Sequence, residues 1–388
     1  MDIVTAGESH GKGVVCIVKG LPSGLEVDEG YINEQLRRRQ GGYGRGGRME
    51  IETDEVQIIS GVYKGETIGS PVTFLIENDD WKNWKDVFEP RKGEKKGEVT
   101  KPRPGHADLA GSLKRGFRDV RKVLERASAR ETAARVAGAA LARLFLKKFD
   151  VSVVSRVVAL GGIKDMSCVS DYASMSEEAD KSPLRVLDKK VEGRMMKEIE
   201  KTSREGDSLG GIFEVVATGL PPGIGDYTCS EKKLDGLLAG AIMSIPAIKS
   251  VEIGLGRGVS EKKGSAVQDE IFYDRRKGGF FRKTNRAGGL EGGVTNGEPL
   301  IVRASMKPIP TLSSPLATVD IRSGEIEEAA KERSDVCAVP AASIVGEAEL
   351  GKVLCSSWLD KFGGDSMDQI EKSFSKYVES LEGWFESS

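Results

Sequence analysis

Apolar positions along the chain fall into short runs and longer helical repeats, and their order predicts the elements. Residues 13–19 (GVVCIVK) read as a buried strand, followed by Gly20-Leu21-Pro22-Ser23-Gly24 and a helix from Asp28, a suitable N-cap, to Arg39. The same plan returns later as strand 211–218 (GIFEVVAT), then Gly219-Leu220-Pro221-Pro222-Gly223, then a helix carrying Leu234, Leu237, Leu238, Ala241, Ile242 and Ile245. The recurrence predicts one domain over 1–388 built on a duplicated strand-turn-helix unit, with approximate halves 1–150 and 205–388.

Between the copies, residues 55–63 and 72–77 (VTFLIE) read as the strands of a hairpin about a turn at Lys64-Gly65-Glu66-Thr67. Residues 78–107 show no apolar period, and a loop of that length inside a compact chain is usually functional or disordered. A helical stretch is expected from Asp108 to Phe149, its alanine-rich centre packed closely against a neighbour. Strand 151–160, a charged helix over 187–204, a glycine-dense segment (GGFFRKTNRAGGLEGGVTNG) and strand 299–306 follow, with helices expected at 325–333, 340–361 and 366–382. Strands and helices come in runs rather than in strict βαβ alternation, which predicts an α+β fold with helices covering antiparallel sheets.

Charge narrows the choice of partners. The 58 basic and 60 acidic side chains nearly cancel, leaving −2 and a pI near 6.0. A general nucleic-acid or membrane binder is therefore not expected, and any anion site is local. The five cysteines, Cys16, Cys168, Cys229, Cys337 and Cys355, are odd in number, far apart and without a C-x-x-C pair, which points to a reducing cytoplasmic setting. The opening MDIVTAGESHGKG puts Glu8 and glycines where a secretory signal needs an apolar stretch, and no window reaches the roughly 18 apolar residues of a membrane span.

Only two histidines are present, His10 and His106, each in a glycine-containing loop motif (GESHG and PGHAD). Histidine carries protons near neutral pH. A lone histidine is more often structural, but adjacent glycine lets backbone approach a ligand closely. Two histidines without cysteine or carboxylate help make no typical zinc site, so no metal is expected. Arg37, Arg38, Arg39, Arg45 and Arg48 are interleaved with Gly41, Gly42, Gly44, Gly46 and Gly47. Guanidiniums fork onto phosphate and carboxylate oxygens, and glycines free the backbone amides to join them.

This makes a candidate polyanion cradle, with a solvated basic loop and an arginine-glycine RNA contact as rival readings. Tyr43 is the only aromatic nearby and the chain is slightly acidic, which weigh against RNA. Further cations stand at Arg103, Arg126, Arg130, Lys307 and Arg333. Each alone reads as surface charge, while together they suit a substrate with several anionic groups plus a phosphorylated cofactor. The Gly288-Gly289 and Gly292-Gly293 pairs form no dinucleotide fingerprint, and no P-loop is present.

Taken in order, AGESHG, RRQGGYGRGGRM, RPGHADL, RASARETAARV, MSIPAIKSVEIG, GGLEGG, KPIPT and RSDVCAVPAA resemble the chorismate synthase family along nearly the whole chain. The resemblance implies a homotetramer of α+β subunits, each a duplicated β-α-β sandwich core of two antiparallel sheets with helices packed outside. It implies an anti-1,4-elimination of the 3-phosphate and a C6 proton from 5-enolpyruvylshikimate 3-phosphate, giving chorismate in the shikimate pathway of aromatic amino acid biosynthesis. That reaction needs reduced FMN although no net redox change occurs.

By position, the resemblance makes His106 a general acid near the leaving phosphate or enolpyruvyl end, and His10 a proton source for the reduced flavin. Asp335 would lie near the flavin and assist deprotonation. Arg39, Arg45, Arg48, Arg103, Arg130 and Arg333 would clamp the substrate, with Ser128 hydrogen-bonding nearby. Flavin contacts would come from Arg126, Ala127, Ser128, Pro246, Ala247, Gly292, Lys307, Pro308, Ile309, Pro310, Thr311 and Arg333. NADPH, where it serves as the reductant, would meet Arg39 and Arg45. Many relatives carry Asn where this chain has Pro246, and proline offers neither an amide side chain nor a backbone donor. With no reductase domain before the end at Ser388, an external flavin reductase is expected. Two other functions stay open at this point: a flavin oxidoreductase consuming NADPH with each turnover, and an RNA binder using the 37–48 loop.

Overall fold

Alternation of buried and outward positions builds the first sheet. The computed structural model describes residues 1–45, 53–88, 97–169, 171–274, 279–331, 335–382 and 384. In it, β2 (Gly13–Lys19) buries Val14, Cys16 and Val18 on one face. It pairs antiparallel with β1 (Asp2–Gly7) and with β7 (Val72–Glu77), and β4 (Gln57–Ser60) completes the order β1-β2-β7-β4. A second antiparallel sheet takes the order β11 (Ile248–Ile253), β16 (Leu300–Met306), β10 (Gly211–Thr218), β8 (Ser152–Leu160), β9 (Ile163–Lys164).

A layer of helices fills the space between the two sheets. In α5 (Glu131–Lys147) and α9 (Val339–Phe362) nearly every side is buried, the pattern of a helix enclosed by protein. α5 packs on β1, β2 and β7, and small residues set the distance: a Cβ on Gly138 would stand 2.4 Å from Cys16 Sγ. α9 packs on β8 and β10, where Gly346 faces Phe213 and Val215, and it meets α5 where Gly351 faces Arg143. α1 (Glu29–Gln40) and α8 (Leu234–Met243) join this layer. The expectation of helices packed outside the sheets is thereby corrected: alanine- and glycine-rich helices are narrow enough to pack against sheet and helix at once. On the far side of the second sheet, Met175 of α6 (Tyr172–Lys181) meets Val154 and Val216. No helix among the described residues is long and apolar enough to cross a membrane.

The two Gly-Leu-Pro turns share one device. Thr67 Oγ1 accepts from Leu25 N at 3.0 Å and donates to Pro22 O at 2.6 Å, while Thr295 Oγ1 accepts from Ile224 N at 2.8 Å and donates to Pro221 O at 2.7 Å. Thr67 lies in a small sheet of β3 (Ser23–Glu26), β6 (Glu66–Ile68) and β5 (Val62–Tyr63). The expected hairpin between 55–63 and 72–77 is thus split. Lys64 and Gly65, with φ of 49° and 86°, close a two-residue turn from β5 to β6, while β7 pairs with β4.

Other expectations also shift. Residues 78–107 contain a helix, α2 (Trp81–Phe88). The helical stretch expected over 108–149 is three helices, α3 (Asp108–Arg115), α4 (Arg121–Leu124) and α5, with left-handed Gly116 ending the first. Ser128, expected on a helix, lies in the turn before α5. The helix expected at 325–333 is instead a short strand, β18 (Ile326–Glu328), paired with β17 (Ala317–Val319). Two further hairpins, β12 (Ile271–Asp274) with β13 (Gly279–Arg282) and β14 (Leu290–Glu291) with β15 (Val294–Thr295), lie in the glycine-dense half. The charged helix is α7 (Lys189–Glu205) and the last is α10 (Met367–Glu382).

Candidate active site

His10 sits in the loop after β1. Its Nδ1 lies 3.0 Å from both carboxylate oxygens of Glu125, and its backbone N–H donates to Oε2 of the same group at 3.0 Å. Glu125 is buried and also accepts from Arg121 Nη1 at 3.1 Å. Burial works against the Glu125 charge, but the His10 hydrogen bonds and Arg121 outweigh it and hold the carboxyl below its ordinary value. Trp84 of α2 stacks on the imidazole with ring centroids 4.1 Å apart, and the Arg121 guanidinium lies 5.1 Å from the Trp84 ring. Asn78 Nδ2 donates to the carbonyls of Glu8, Ser9 and Gly11, which fixes the loop on both sides of His10.

Asn78 also joins this loop to the arginines. Its Oδ1 accepts from Arg130 Nε at 2.8 Å, and Arg130 Nη1 binds Asp54. Asp54 takes Arg39 Nη2 on its other oxygen at 2.6 Å. All three residues are buried. Burial opposes the Asp54 charge, yet Arg39 and Arg130 hold its carboxyl below the usual range. For Arg39 the balance goes the other way: burial, then the nearby charges of Arg130 and Arg45, bring it below its ordinary value despite Asp54. Arg39 Nε is buried and has no hydrogen-bond partner among the described residues. Arg45 pairs with Asp335 at 3.1 Å. A cavity of about 520 Å³ opens beside Arg45, lined also by Tyr43, Ile199, Glu200, Arg204 and Val336, and neither histidine lines it.

His106 belongs to a second cluster. Its Nδ1 lies 2.5 Å from Asp108 Oδ1, and Arg103 grips Asp108 through Nε at 2.8 Å and Nη2 at 3.2 Å. Arg103 Nη1 donates to Thr311 Oγ1 at 2.9 Å, and Lys307 Nζ to Gly105 O at 2.5 Å, so the KPIPT segment and the His106 loop are packed together. Asp108 has no solvent exposure, which opposes its charge, but His106 and Arg103 hold its carboxyl well below the usual range. Among the described residues no hydrogen bond joins His10 to His106. A bonded path runs from Ile309 to Ser208, from Leu209 to Val336, and from Val336 to Gly44 beside Arg45.

Of the positions expected at a flavin, Ala247 O accepts from Lys307 N at 2.9 Å, which places Pro246-Ala247 beside 307–311. Ser128 Oγ donates to Ser9 Oγ at 3.0 Å, Ala127 follows α4, and Arg126 holds Thr5 O and Gly7 O beneath the His10 loop. Gly292 stands apart from Pro246-Ala247. It turns between β14 and β15 at the N-terminus of α8, whereas Pro246 follows the other end of that ten-residue helix, about 15 Å long. Arg48 and Arg333 lie outside the described residues.

Sequence reasoning missed Glu125, Trp84, Asp54 and Asn78, none of which stands in a motif of its own. Asp108 is within reach of sequence reasoning, since it lies two positions after His106 in RPGHADL.

Comparison with known proteins identifies the family. The family model described as chorismate synthase matches residues 1–359. The chorismate synthase of Carboxydothermus hydrogenoformans is 52% identical over 383 residues, covering 97% of this chain and 98% of that protein. That of Geobacter metallireducens is 52% identical over 386 residues, with 97% and 98% covered. A crystal structure of chorismate synthase superposes with a TM-score of 0.80 at 39% identity, covering 98% of each chain. With nearly its whole length matched in sequence and fold, the chain belongs to the chorismate synthase family of lyases.

Proposed function

We propose that this lyase forms chorismate by anti-1,4-elimination of the 3-phosphate and a C6 proton from 5-enolpyruvylshikimate 3-phosphate, with reduced FMN bound beside the substrate. The observation that carries the reading is Arg39: buried, crowded by the charges of Arg130 and Arg45, and with an unpartnered Nε. An anion at this point completes the hydrogen bonding and offsets the crowding. Phosphate departs only if its growing charge is neutralised, and guanidiniums already fixed by Asp54, Asn78 and Asp335 do so without reorganising.

The residues also fit a flavin. Pro246-Ala247 and Lys307–Thr311 adjoin one another, and Lys307 brings a cation to the edge of the His106 loop. Reduced FMN, when bound, would supply the electron density that assists phosphate departure and C6 deprotonation. Around it His106 acts as the general acid for the leaving end of the substrate, His10 holds a proton for the cofactor, and Asp335 assists deprotonation. The shared Gly-Leu-Pro turns support a chain made of two repeats of one unit within a single domain.

Incubating the protein with 5-enolpyruvylshikimate 3-phosphate and anaerobically reduced FMN gives chorismate absorbance with no stoichiometric loss of NADPH. No product, or NADPH consumed with each turnover, defeats the reading. In the same assay Arg130→Ala lowers kcat/KM by about 10²- to 10³-fold, and a rate within twofold or so of the parent would remove the arginines from the anion site.

The same reading includes a homotetramer. The outer face of the first sheet is apolar where solvated sheet faces are normally polar. Val4 pairs across to Ile17 and Val15 to Leu75 on that face, and Val4 and Ile17 are exposed. Ile17→Lys is expected to shift the species seen by light scattering from tetramer to a smaller assembly, and an unchanged mass rules this face out as the contact.

A further inference from the structure

Both imidazoles are held in the same three-part unit. In each, Nδ1 meets a buried carboxylate and that carboxylate meets a guanidinium: His10 with Glu125 and Arg121, His106 with Asp108 and Arg103. The units share no sequence pattern, since the carboxylate stands 115 positions from His10 but only two from His106. An ionised carboxylate accepts hydrogen bonds and has no hydrogen to give. The guanidiniums and imidazoles beside them favour the ionised form of both carboxyls against their burial. Arg103 Nη2 also lies 3.1 Å from His106 Nδ1, but a guanidinium only donates, so Asp108 is the group that takes the hydrogen there. In a neutral imidazole the hydrogen therefore sits on Nδ1, and Nε2 is the nitrogen at which a proton is gained or lost.

We propose that Glu125 and Asp108 are positioning residues that fix both histidines in the Nδ1–H tautomer and direct proton transfer through Nε2. Histidine free in water favours the opposite tautomer, so the protein selects the less populated form twice, by two unrelated stretches of chain. The stacked Trp84 fixes the ring plane of His10, and the bonds from Arg103 to Thr311 and Asp108 fix the cradle of His106. The catalytic consequence rests on the lyase reading; the tautomers do not.

The test is ¹⁵N NMR of histidine-labelled protein without flavin or substrate, in which only two imidazoles contribute because the chain has two histidines. At a pH where the rings are neutral, both are expected in the Nδ1–H form, and an Nε2–H form at either histidine in the parent protein overturns the proposal. In Asp108→Asn Arg103 claims the amide oxygen through its backbone N–H and Nε, which turns the amide N–H toward the ring and inverts the tautomer of His106 alone, whereas in Glu125→Gln Arg121 and the His10 backbone N–H compete for the one remaining amide oxygen and His10 is expected to lose its hold on the Nδ1–H form. Each variant is expected to lose about a hundredfold in kcat while KM moves less than about threefold. An inverted tautomer with unchanged kcat overturns the directing role. Because the parent spectrum needs neither variant nor product, it remains decisive if a variant fails to fold. A failure of the lyase reading shows separately, as absent chorismate with both tautomers as stated.

Discussion

Glu347→Ala lowers the stability of the fold by about 3–5 kcal/mol, the largest structural effect expected of a single substitution here. Glu347 is completely buried in α9. One oxygen accepts from Arg38 at 2.7 Å and lies 2.9 Å from Arg143, and the other accepts from Ser155 at 2.7 Å and Arg38 at 3.1 Å, with Arg185 3.4 Å away. One carboxylate thus ties α1, α5, β8 and the strip before α7 to α9. Removing it leaves three largely enclosed guanidiniums facing one another, with Arg38 and Arg185 left to share Asp180 as their remaining carboxylate.

Burial alone would push the Glu347 carboxyl up, but Arg38, Arg143 and Arg185 bring it down from 4.5 to about 2. A carboxyl held below its unfolded value stabilises above that value and loses its contribution as pH falls through the folded one. The advantage of the parent over Glu347→Ala is therefore full at neutral pH and shrinks between about pH 4.5 and 2, which denaturant unfolding at the two ends of that window measures. An equal difference at both ends would mean that packing, not charge, makes the contribution. Arg38 precedes Arg39, so loosening this node is also expected to disturb the anion site.

The same node shows what the sequence could and could not reveal. Arg38 was legible as one cation in a glycine-arginine run, yet it faces away from the anion site and closes on a helix more than three hundred positions later. Arg39, its neighbour, faces the other way toward Asp54. Sequence pattern marks the charge but not the side of the helix that charge serves. The histidines were legible because only two exist, whereas Glu125 and Asp54 are two among 60 acidic side chains, and the partners that give them meaning stand as far as 115 and 76 positions away.

Element patterns fared similarly. β2 and β16 were readable because buried alternation extends over seven residues, and β10 because its eight residues form an almost unbroken buried run. β18, an isoleucine and two glutamates that are all exposed, carries no such alternation and reads as helix. The helical layer was visible as alanine-rich sequence, but whether sheets lay on one side or both depended on glycines such as Gly138 and Gly346, which say that something approaches without saying what.

His10→Ala and His106→Ala are each expected to lower kcat by about 10²- to 10⁴-fold while substrate binding, read by titration against inactive oxidised-flavin enzyme, stays within a few fold of the parent. The geometry separates chemistry from collapse at both positions. Asn78 grips the carbonyls of Glu8, Ser9 and Gly11, so the first loop keeps its path when the imidazole is truncated. Arg103 keeps its two contacts to Asp108 and its bond to Thr311, so the second loop does too. Arg39 and Arg130 bond to Asp54 without help from either histidine, and the anion site survives both changes. A loss of rate with binding intact therefore identifies proton transfer as the missing step, and normal turnover in both variants would remove the histidines from it.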